Sequence, residues 1–496
     1  METKSRVRTE AEVYPDYTAE LEAIRTGGIT TGLLDKIIQK HLMNAAYNRR
    51  LYNRYRVLNG CVPIFNRRPR FHMLTPDGKE VEPINNKVNN DFFGEIVDFK
   101  VGYFAGAPAS YSYSQTEESI EETAGNEEGV KAARKAITDF VTRNNMHDID
   151  MEVTKHAAIY GYCGRLFYHD KDGNERVKVV PGYETIVLSD TTIAEPEYAV
   201  HYFSTTDING AEYWTAEFYS STEIQIYTGQ LGALSRKETI KNLYDYCPLQ
   251  GIPNNGEMTG DAEKVMTAID SYDRTVSDSS NQIEGQVNSK EIYENLNVPD
   301  EEIAKSNYTG ALNIMNPTGK GKVYKLESNI NDGFVEHYLS RLLNDIYRFS
   351  KTPNLTDQDF GNASGNALRF KLTAHETKCG MFEAKMKTAG VYMFKLLASS
   401  WGKKRLDIDP LQCVVEFKRN FPLDILNEAQ AAQALITAGI PKEVAYSLAI
   451  SSVDDVDYIM QMIEAEKNGI PSLEEHLPED GEIDSADQGG GEQGGR

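Results

Sequence analysis

Apolar residues recur at helical spacing over several stretches in the first third of the chain. Between residues 31 and 58 they fall three and four positions apart, and Gly60 follows, which predicts an amphipathic helix with a clear stop. The same spacing predicts helices over about 86–105, 127–144 and 147–160. Residues 1–28 are mixed and polar, and they are expected to form an arm.

From residue 162 to residue 228 the pattern changes to alternation of apolar and polar positions. The segments CGRLFYHD and ERVKVVPG flank Lys171-Asp-Gly-Asn174, which is typical of a tight hairpin turn. Further tyrosine-rich alternating segments follow at short intervals, and aromatic residues suit half-buried sheet faces. This part of the chain is therefore expected to form an antiparallel sheet.

Two helices with narrow apolar stripes enclose an irregular segment. The first covers 261–284 and the second 332–350, and a short strand is expected at 311–315 between them. At about 1.5 Å per residue each helix would span roughly 30 Å. The pattern predicts a helical hairpin that holds a small module away from the body of the protein.

The last third of the chain is predicted to be mostly helical. Pro353 ends the second stripe helix, and Gly361 and Gly365 give the following loop conformational freedom. A long helix, a strand and three shorter helices are expected at 366–400, 413–422, 425–438, 441–450 and 453–467. Residues 473–496 are acidic and glycine-rich, a composition typical of disorder. The fold class is therefore α+β.

Composition restricts the function. The 52 basic residues stand against 75 acidic residues, a net charge of −23. Tight wrapping of nucleic acid requires neutralisation of phosphates, so this balance excludes it but permits a channel that repels DNA. The five cysteines are scattered without a CxxC pair, which argues against a disulfide framework or a zinc ribbon. Neither a membrane span nor a signal peptide is predicted, since no long apolar run is present.

Candidate catalytic residues are few. One acidic group resembles the cluster of a metal-dependent nuclease: Asp148, Asp150, Glu152 and Lys155. The segment is predicted to be helical, where 148 and 152 share a face but 150 does not, so acids favourable to a helix N-terminus are the preferred interpretation. His375 and Cys379 share a helix face, yet no third metal ligand is evident. No phosphate loop or nucleophile elbow is present, so we expect no catalytic residue, metal or cofactor.

A basic cluster lies at the end of the first long helix. It consists of Arg49, Arg50, Arg54 and Arg56. A nucleic-acid patch is one interpretation, and ion pairing within or between subunits is the other. The acidic composition of the chain favours ion pairing.

Four stretches resemble the portal (head-to-tail connector) proteins of tailed bacteriophages, of the type common in phages with long non-contractile tails. They are 89–108, 261–284, 351–372 and 438–467. The third, with its Thr-Pro and Ser-Gly elements, is the most specific. The resemblance extends over most of 30–467, and 285–329 departs from it.

The resemblance implies a portal fold with the following division. Residues 1–29 would be an arm, 30–258 and 367–422 the wing, 259–283 and 330–349 the stem, 284–329 the clip, 350–366 the tunnel loop, 423–470 the crown and 471–496 a disordered tail. Subunits of this family form a ring, usually a dodecamer, so a homo-oligomer is expected.

The resemblance also implies the function. Portals occupy one capsid vertex of the virion after assembly in the host cytoplasm, and double-stranded DNA passes through them without sequence specificity. Expected partners are the terminase large subunit, the major capsid and scaffolding proteins, and the head-completion or adaptor proteins; no membrane partner is expected. The alternatives are a metal-dependent nucleic-acid enzyme that uses the acids at 148–155 and a capsid or baseplate scaffold without a channel.

Two groups of residues acquire expected roles from the resemblance. The tunnel loop would face DNA with Lys351, Asn354, Asp357, Gln358, Asp359, Asn362 and Ser364. The stem would present acids that repel phosphates, namely Asp261, Glu263, Asp270, Asp273, Asp278 and Glu284. The arginines at 49–56 would contact neighbouring subunits or the capsid.

Overall fold

The computed structural model describes residues 7–69, 73–74, 80–81, 84–113, 127–189, 195–287, 291–296, 311–314, 320–325, 332–355, 365–420 and 425–449. The chain divides into two compact units, Met1–Asn420 and Phe421–Arg496. The first unit combines helices with mainly antiparallel sheets, which confirms the expected α+β class.

The helices of the first unit follow the predicted periodicity closely. They are α1 (Thr18–Gly27), α2 (Thr31–Tyr55), α3 (Phe92–Ala105), α4 (Glu127–Asn144), α5 (Met146–Tyr160), α6 (Met266–Val287), α7 (Asp332–Ser350) and α8 (Gly365–Lys403). The side chain of Thr30 accepts a hydrogen bond from the amide of Leu33 and so caps the beginning of α2. The segment 1–28, which was expected to form an arm, contains α1. Leu21 and Ile24 of this helix are buried in a core that they share with α2, and this burial holds α1 in place.

The strands form several separate sheets. They are β1 (Met73–Leu74), β2 (Glu80–Val81), β3 (Ser110–Tyr113), β4 (Tyr162–His169), β5 (Glu175–Pro181), β6 (Thr185–Leu188), β7 (Tyr198–Thr206), β8 (Glu212–Tyr219), β9 (Glu223–Gln230), β10 (Ala233–Lys241), β11 (Leu249–Pro253), β12 (Glu291–Glu294), β13 (Ala311–Ile314), β14 (Lys322–Lys325) and β15 (Cys413–Glu416). β15 pairs antiparallel with β3, and β1 pairs with β2.

The alternating segment does not form one sheet but two. The order is β11-β4-β5 in the first sheet and β10-β9-β8-β7-β6 in the second. The hairpin predicted around Lys171–Asn174 joins β4 to β5, with His169 opposite Glu175. Alternation of apolar and polar residues does not predict β10, because Leu234 is the one buried residue of this strand.

α2 packs its apolar face on the five-stranded sheet. Leu34, Ile37 and Ile38 of α2 share a core with Ile186 and Val200 of the sheet. Further along, the same helix enters a second core, which also holds parts of α3, α5, α6 and α7. α2 therefore connects the sheet to the helices that carry the candidate site.

α6 and α7 form the expected hairpin. Ile269, in the first turn of α6, lies in one core with Ile346, near the end of α7, so the two helices run antiparallel. Between them lies a three-stranded sheet of order β13-β12-β14, with β13 parallel and β14 antiparallel to β12. The strand expected at 311–315 is confirmed, and the sequence did not indicate β12 or β14.

The second unit contains two helices among its described residues, α9 (Ile425–Thr437) and α10 (Lys442–Ala449). Gly439, with φ of 92°, follows the end of α9, and its amide donates to the carbonyl of Ile436. The helices expected at 425–438 and 441–450 are thus confirmed. The helix expected at 453–467 and the tail at 471–496 lie outside the described residues.

Candidate functional site

An ionic cluster centred on the buried carboxylate of Asp261 lies shortly before the beginning of α6. The carboxylate of Asp261 lies 3.2 Å from Nζ of Lys100 on α3 and 3.6 Å from Nζ of Lys378 on α8. Asn254 donates to Asp261 at 2.9 Å and accepts from Lys100. We call these four residues the Asp261 cluster. It joins three segments that are distant in sequence.

The electrostatics of the cluster follow from its burial. Burial alone would raise the pKa of Asp261, but Lys100 and Lys378 outweigh it and bring the pKa to about 2. Burial lowers the pKa of Lys378, and Asp261 acts against that shift. The Lys100 ammonium is fully buried and also lies 4.4 Å from the centre of the Phe382 ring. The carboxylate is therefore held ionised between two ammonium groups.

The end of α7 is attached to α8 next to this cluster. Nζ of Lys378 donates to the carbonyl oxygen of Ser350 at 3.0 Å, and Nδ1 of His375 lies 3.1 Å from the carbonyl oxygen of Lys351. A carbonyl only accepts, so His375 carries its proton on Nδ1. Burial, together with the charge on Lys378, lowers the pKa of His375 to about 3, which keeps the ring neutral. We call residues 350–352 the loop base.

The backbone of the loop base has a tight, irregular conformation. Lys351 adopts a left-handed φ of 57°, which is uncommon for a residue with a side chain. The amide of Thr352 donates back to the carbonyl of Tyr347 at 3.1 Å. This pattern closes α7 and turns the chain towards the expected tunnel loop.

The acids predicted on the stem point largely into the subunit. Arg54 of α2 donates to Asp270 at 2.9 Å, and the amide and side chain of Asn90 both donate to Asp273. Asp261, Asp270 and Asp273 are all buried. These three carboxylates therefore attach α6 and the segment before it to the rest of the subunit, in contrast to the expected phosphate-repelling surface. The reason is that each faces a donor from a distant segment.

The other three predicted acids also have contacts within the subunit. Glu263 accepts from Arg8 at 2.8 Å, and both side chains are 8% exposed. Asp278 pairs with Arg67, and Glu284 accepts from the side chain of Asn86 at 2.6 Å. Glu284 is the acid of this group that lies on the surface.

The basic cluster does not act as a single patch. Arg54 is buried in its pair with Asp270, whereas Arg49 and Arg56 are exposed. Arg49 lies 3.3 Å from Glu184 and over the ring of Tyr183, and Arg56 lies over the ring of Tyr52. Arg50 is partly exposed. Arg54 is thus removed from any contact surface for a neighbouring subunit.

Of the predicted tunnel loop, the structure describes the beginning. Lys351 is exposed and Asn354 is partly exposed. The remaining predicted residues lie outside the described residues: Asp357, Gln358, Asp359, Asn362 and Ser364.

The candidate nuclease acids do not converge. Asp150 is buried, accepts from the hydroxyl of Tyr111 and lies 3.7 Å from Arg165. Burial raises the pKa of Asp150 to about 6, although Arg165 lowers it. Glu152 pairs with Lys155, and Asp148 is exposed on the side of α5 away from the buried Asp150. Within the described ranges no group of three or more His, Cys, Asp or Glu side chains is placed to hold a metal.

Sequence reasoning missed most of the partners in the site. Lys100 interrupts the apolar face of α3 between Val97 and Phe104, and a lysine in such a position is a signal for a buried pair. Nothing comparable distinguishes Asn254 or Arg8. Among the described residues, no helix has the length and apolar character to cross a bilayer.

Comparison with known proteins gives two matches. A family model described as "Phage portal protein, SPP1 Gp6-like" matches residues 34–471. A portal protein of Clostridium phage phiCD119 is 22% identical over 354 residues, which make up 68% of this chain and 74% of that protein.

Proposed function

Because the chain belongs to the SPP1 Gp6-like family of phage portal proteins, we propose that its subunits form a ring at one capsid vertex through which double-stranded DNA passes. The family is a structural component of the virion, and the chain acts there as a conduit rather than as an enzyme. We propose twelve subunits, the usual number in the family.

The observation that carries the ring proposal is the uneven burial of the α6–α7 hairpin. Its base is buried around Ile269 and Ile346. Further out, Ile283, Phe334 and Tyr338 are 59%, 70% and 41% exposed. Large apolar side chains that are exposed on paired helices indicate a surface that another protein covers. The same hairpin of the neighbouring subunit is the proposed partner.

The proposed division of the chain follows the helical hairpin. The wing would comprise 30–258 and 367–422, the stem 259–283 and 330–349, the clip 284–329, the tunnel loop 350–366 and the crown 423–470. β12, β13 and β14 fit a small clip, and the loop base would be the point at which the tunnel loop leaves the stem.

DNA passage would rely on weak, sequence-independent electrostatics. The chain has a net charge of −23, and an acidic wall repels phosphates so that a duplex slides without adhering. Because Asp261, Asp270 and Asp273 are used inside the subunit, exposed acids such as Glu284 would supply the wall. We propose that 351–365 projects toward the duplex.

The proposed partners are those of a conduit without its own energy source. The terminase large subunit would dock during packaging, and head-completion or adaptor proteins would replace it afterwards. The major capsid and scaffolding proteins would surround the ring during assembly in the host cytoplasm. No membrane is involved in this assembly.

Negative-stain electron microscopy of the purified protein tests the proposal. We expect rings with about twelve-fold symmetry and a central hole wide enough for a DNA duplex. Closed rings with a narrower hole would favour a channel-less scaffold. Mg²⁺-dependent DNA cleavage that is lost in Asp148→Ala would instead favour the nucleic-acid enzyme, despite the separation of its acids in the structure.

A further inference from the structure

The Asp261 cluster contains more positive than negative charge. Within the described part of the chain, Asp261 is the carboxylate within ion-pair distance of both Lys100 and Lys378. Lys100 already has Asp261, Asn254 and the Phe382 ring as partners. One lysine would thus balance the carboxylate, and a second ammonium, whose side chain is only 12% exposed, carries a desolvation cost. Ion pairing alone does not account for Lys378.

The additional partner of Lys378 is the backbone of the loop base. Its ammonium donates to the Ser350 carbonyl at the C-terminal end of α7, where helix carbonyls lack partners within the helix and the dipole is negative. One turn earlier on α8, His375 donates to the next carbonyl, that of Lys351. Two side chains of α8 therefore hold two successive carbonyls.

His375 is itself fixed in place. Its ring makes edge contacts with Phe99 and Tyr103 of α3, with ring centres 4.7 Å and 5.2 Å apart. Burial and the charges on Lys378 and Lys100 lower the pKa of His375 and outweigh Asp261, which acts in the opposite direction, so the ring stays neutral and presents one donor to Lys351. The ring cannot follow the loop without leaving these contacts.

We propose that Lys378 and His375 form a clasp that fixes the loop base to α8 and, through Asp261, to the beginning of the α6 region. The α6–α7 base, the loop base and α8 then move as one body. The inference rests on the proposed function solely for the role of the loop toward DNA. The clasp itself is a property of the subunit.

Hydrogen exchange of the full-length protein, followed by mass spectrometry, tests the clasp. Lys378→Met keeps the aliphatic length and leaves the Lys100–Asp261 pair intact, so we expect amides at 348–352 to exchange about tenfold faster while those of the first turns of α6 are unchanged. Lys387→Met is the matched control, because Lys387 lies on the same helix, exposed and paired with Glu383. Unchanged exchange at 348–352 in Lys378→Met would overturn the clasp.

A second variant covers the case in which Lys378→Met does not fold. His375→Phe retains an aromatic ring for Phe99 and Tyr103 but removes the donor to Lys351. We expect faster exchange around 351–352, with a thermal midpoint close to that of the wild type. The clasp is rejected if exchange there is unaffected in this variant. Absence of rings in the wild type under the microscope would count against the portal ring and would leave the exchange result valid.

Discussion

The guanidinium of Arg54 donates a hydrogen bond to the carboxylate of Asp270 at 2.9 Å, with the two side chains 6% and 5% exposed. The pair joins α2 to α6, and the Arg54 guanidinium also lies 5.4 Å from the centre of the Phe93 ring. The pair therefore holds the beginning of the α6–α7 hairpin against the body of the subunit.

Removal of this arginine is expected to destabilise the subunit. Arg54→Met leaves the buried Asp270 carboxylate without its cation, and breaking a buried pair costs about 3–5 kcal/mol of the free energy of unfolding. Arg56→Met is the control, since Arg56 is exposed over the Tyr52 ring, and it should change stability little. Urea unfolding measures both. Equal stability of the two variants would contradict the assigned role of Arg54.

Asp273 should give the stability of the protein a specific pH dependence. Burial raises the pKa of Asp273 from 3.8 to about 6, although hydrogen bonds from Asn90 lower it. The folded state then holds a proton that the unfolded state has lost, so the stability contributed by this group falls as pH rises from about 4 to about 6.

Asp273→Asn removes that dependence. We expect similar stability of the variant and the wild type near pH 4, and a variant more stable by roughly 2–3 kcal/mol near pH 7.5. Urea unfolding at both pH values gives the difference, in which the contributions of other titrating groups cancel. A difference that stays constant with pH would show that Asp273 titrates normally.

Gly161 should tolerate no side chain. It ends α5 with φ of 94°, and a Cβ there would lie 2.2 Å from the carbonyl oxygen of Met258, a backbone atom shortly before Asp261. Gly161→Ala should cost about 3 kcal/mol or more, because strain and a backbone clash add. Gly173→Ala is the control, with φ of 77° but nothing within 4 Å, and should cost about 1–2 kcal/mol. Similar thermal midpoints for both variants would refute the close approach.

The exposed arginines of α2 are predicted to act between subunits or against the capsid. Arg49 and Glu184 are 52% and 21% exposed, so losing their pair should cost less than about 1 kcal/mol. The double change Arg49→Glu and Arg50→Glu should therefore leave subunit stability nearly unchanged and reduce the fraction of rings measured by light scattering. The matched control reverses the exposed Arg236 and Lys237 on β10. Ring formation equal to that of the control would exclude contacts between subunits at these arginines, and normal incorporation into capsids would exclude contacts with the shell.

The elements of the fold were largely predictable because their signals are local. α7 was expected at 332–350 and is observed at Asp332–Ser350, since a narrow apolar stripe recurs over its whole length. The division of the alternating segment into two sheets was not predictable. It depends on β11 pairing with β4, and β11 carries no clear alternation of its own.

The sequence by itself determined the α+β class, the helical hairpin and its small module, the acidic balance, and a resemblance that identified the family. The tertiary structure decided what the predicted site residues do. Asp270 meets Arg54 across 216 positions, and Asp273 meets Asn90 across 183. Periodicity reports which face of a helix is apolar, but the partner of a charge on the remaining face depends on how distant segments pack. For that reason three carboxylates expected on a channel wall are found inside the subunit.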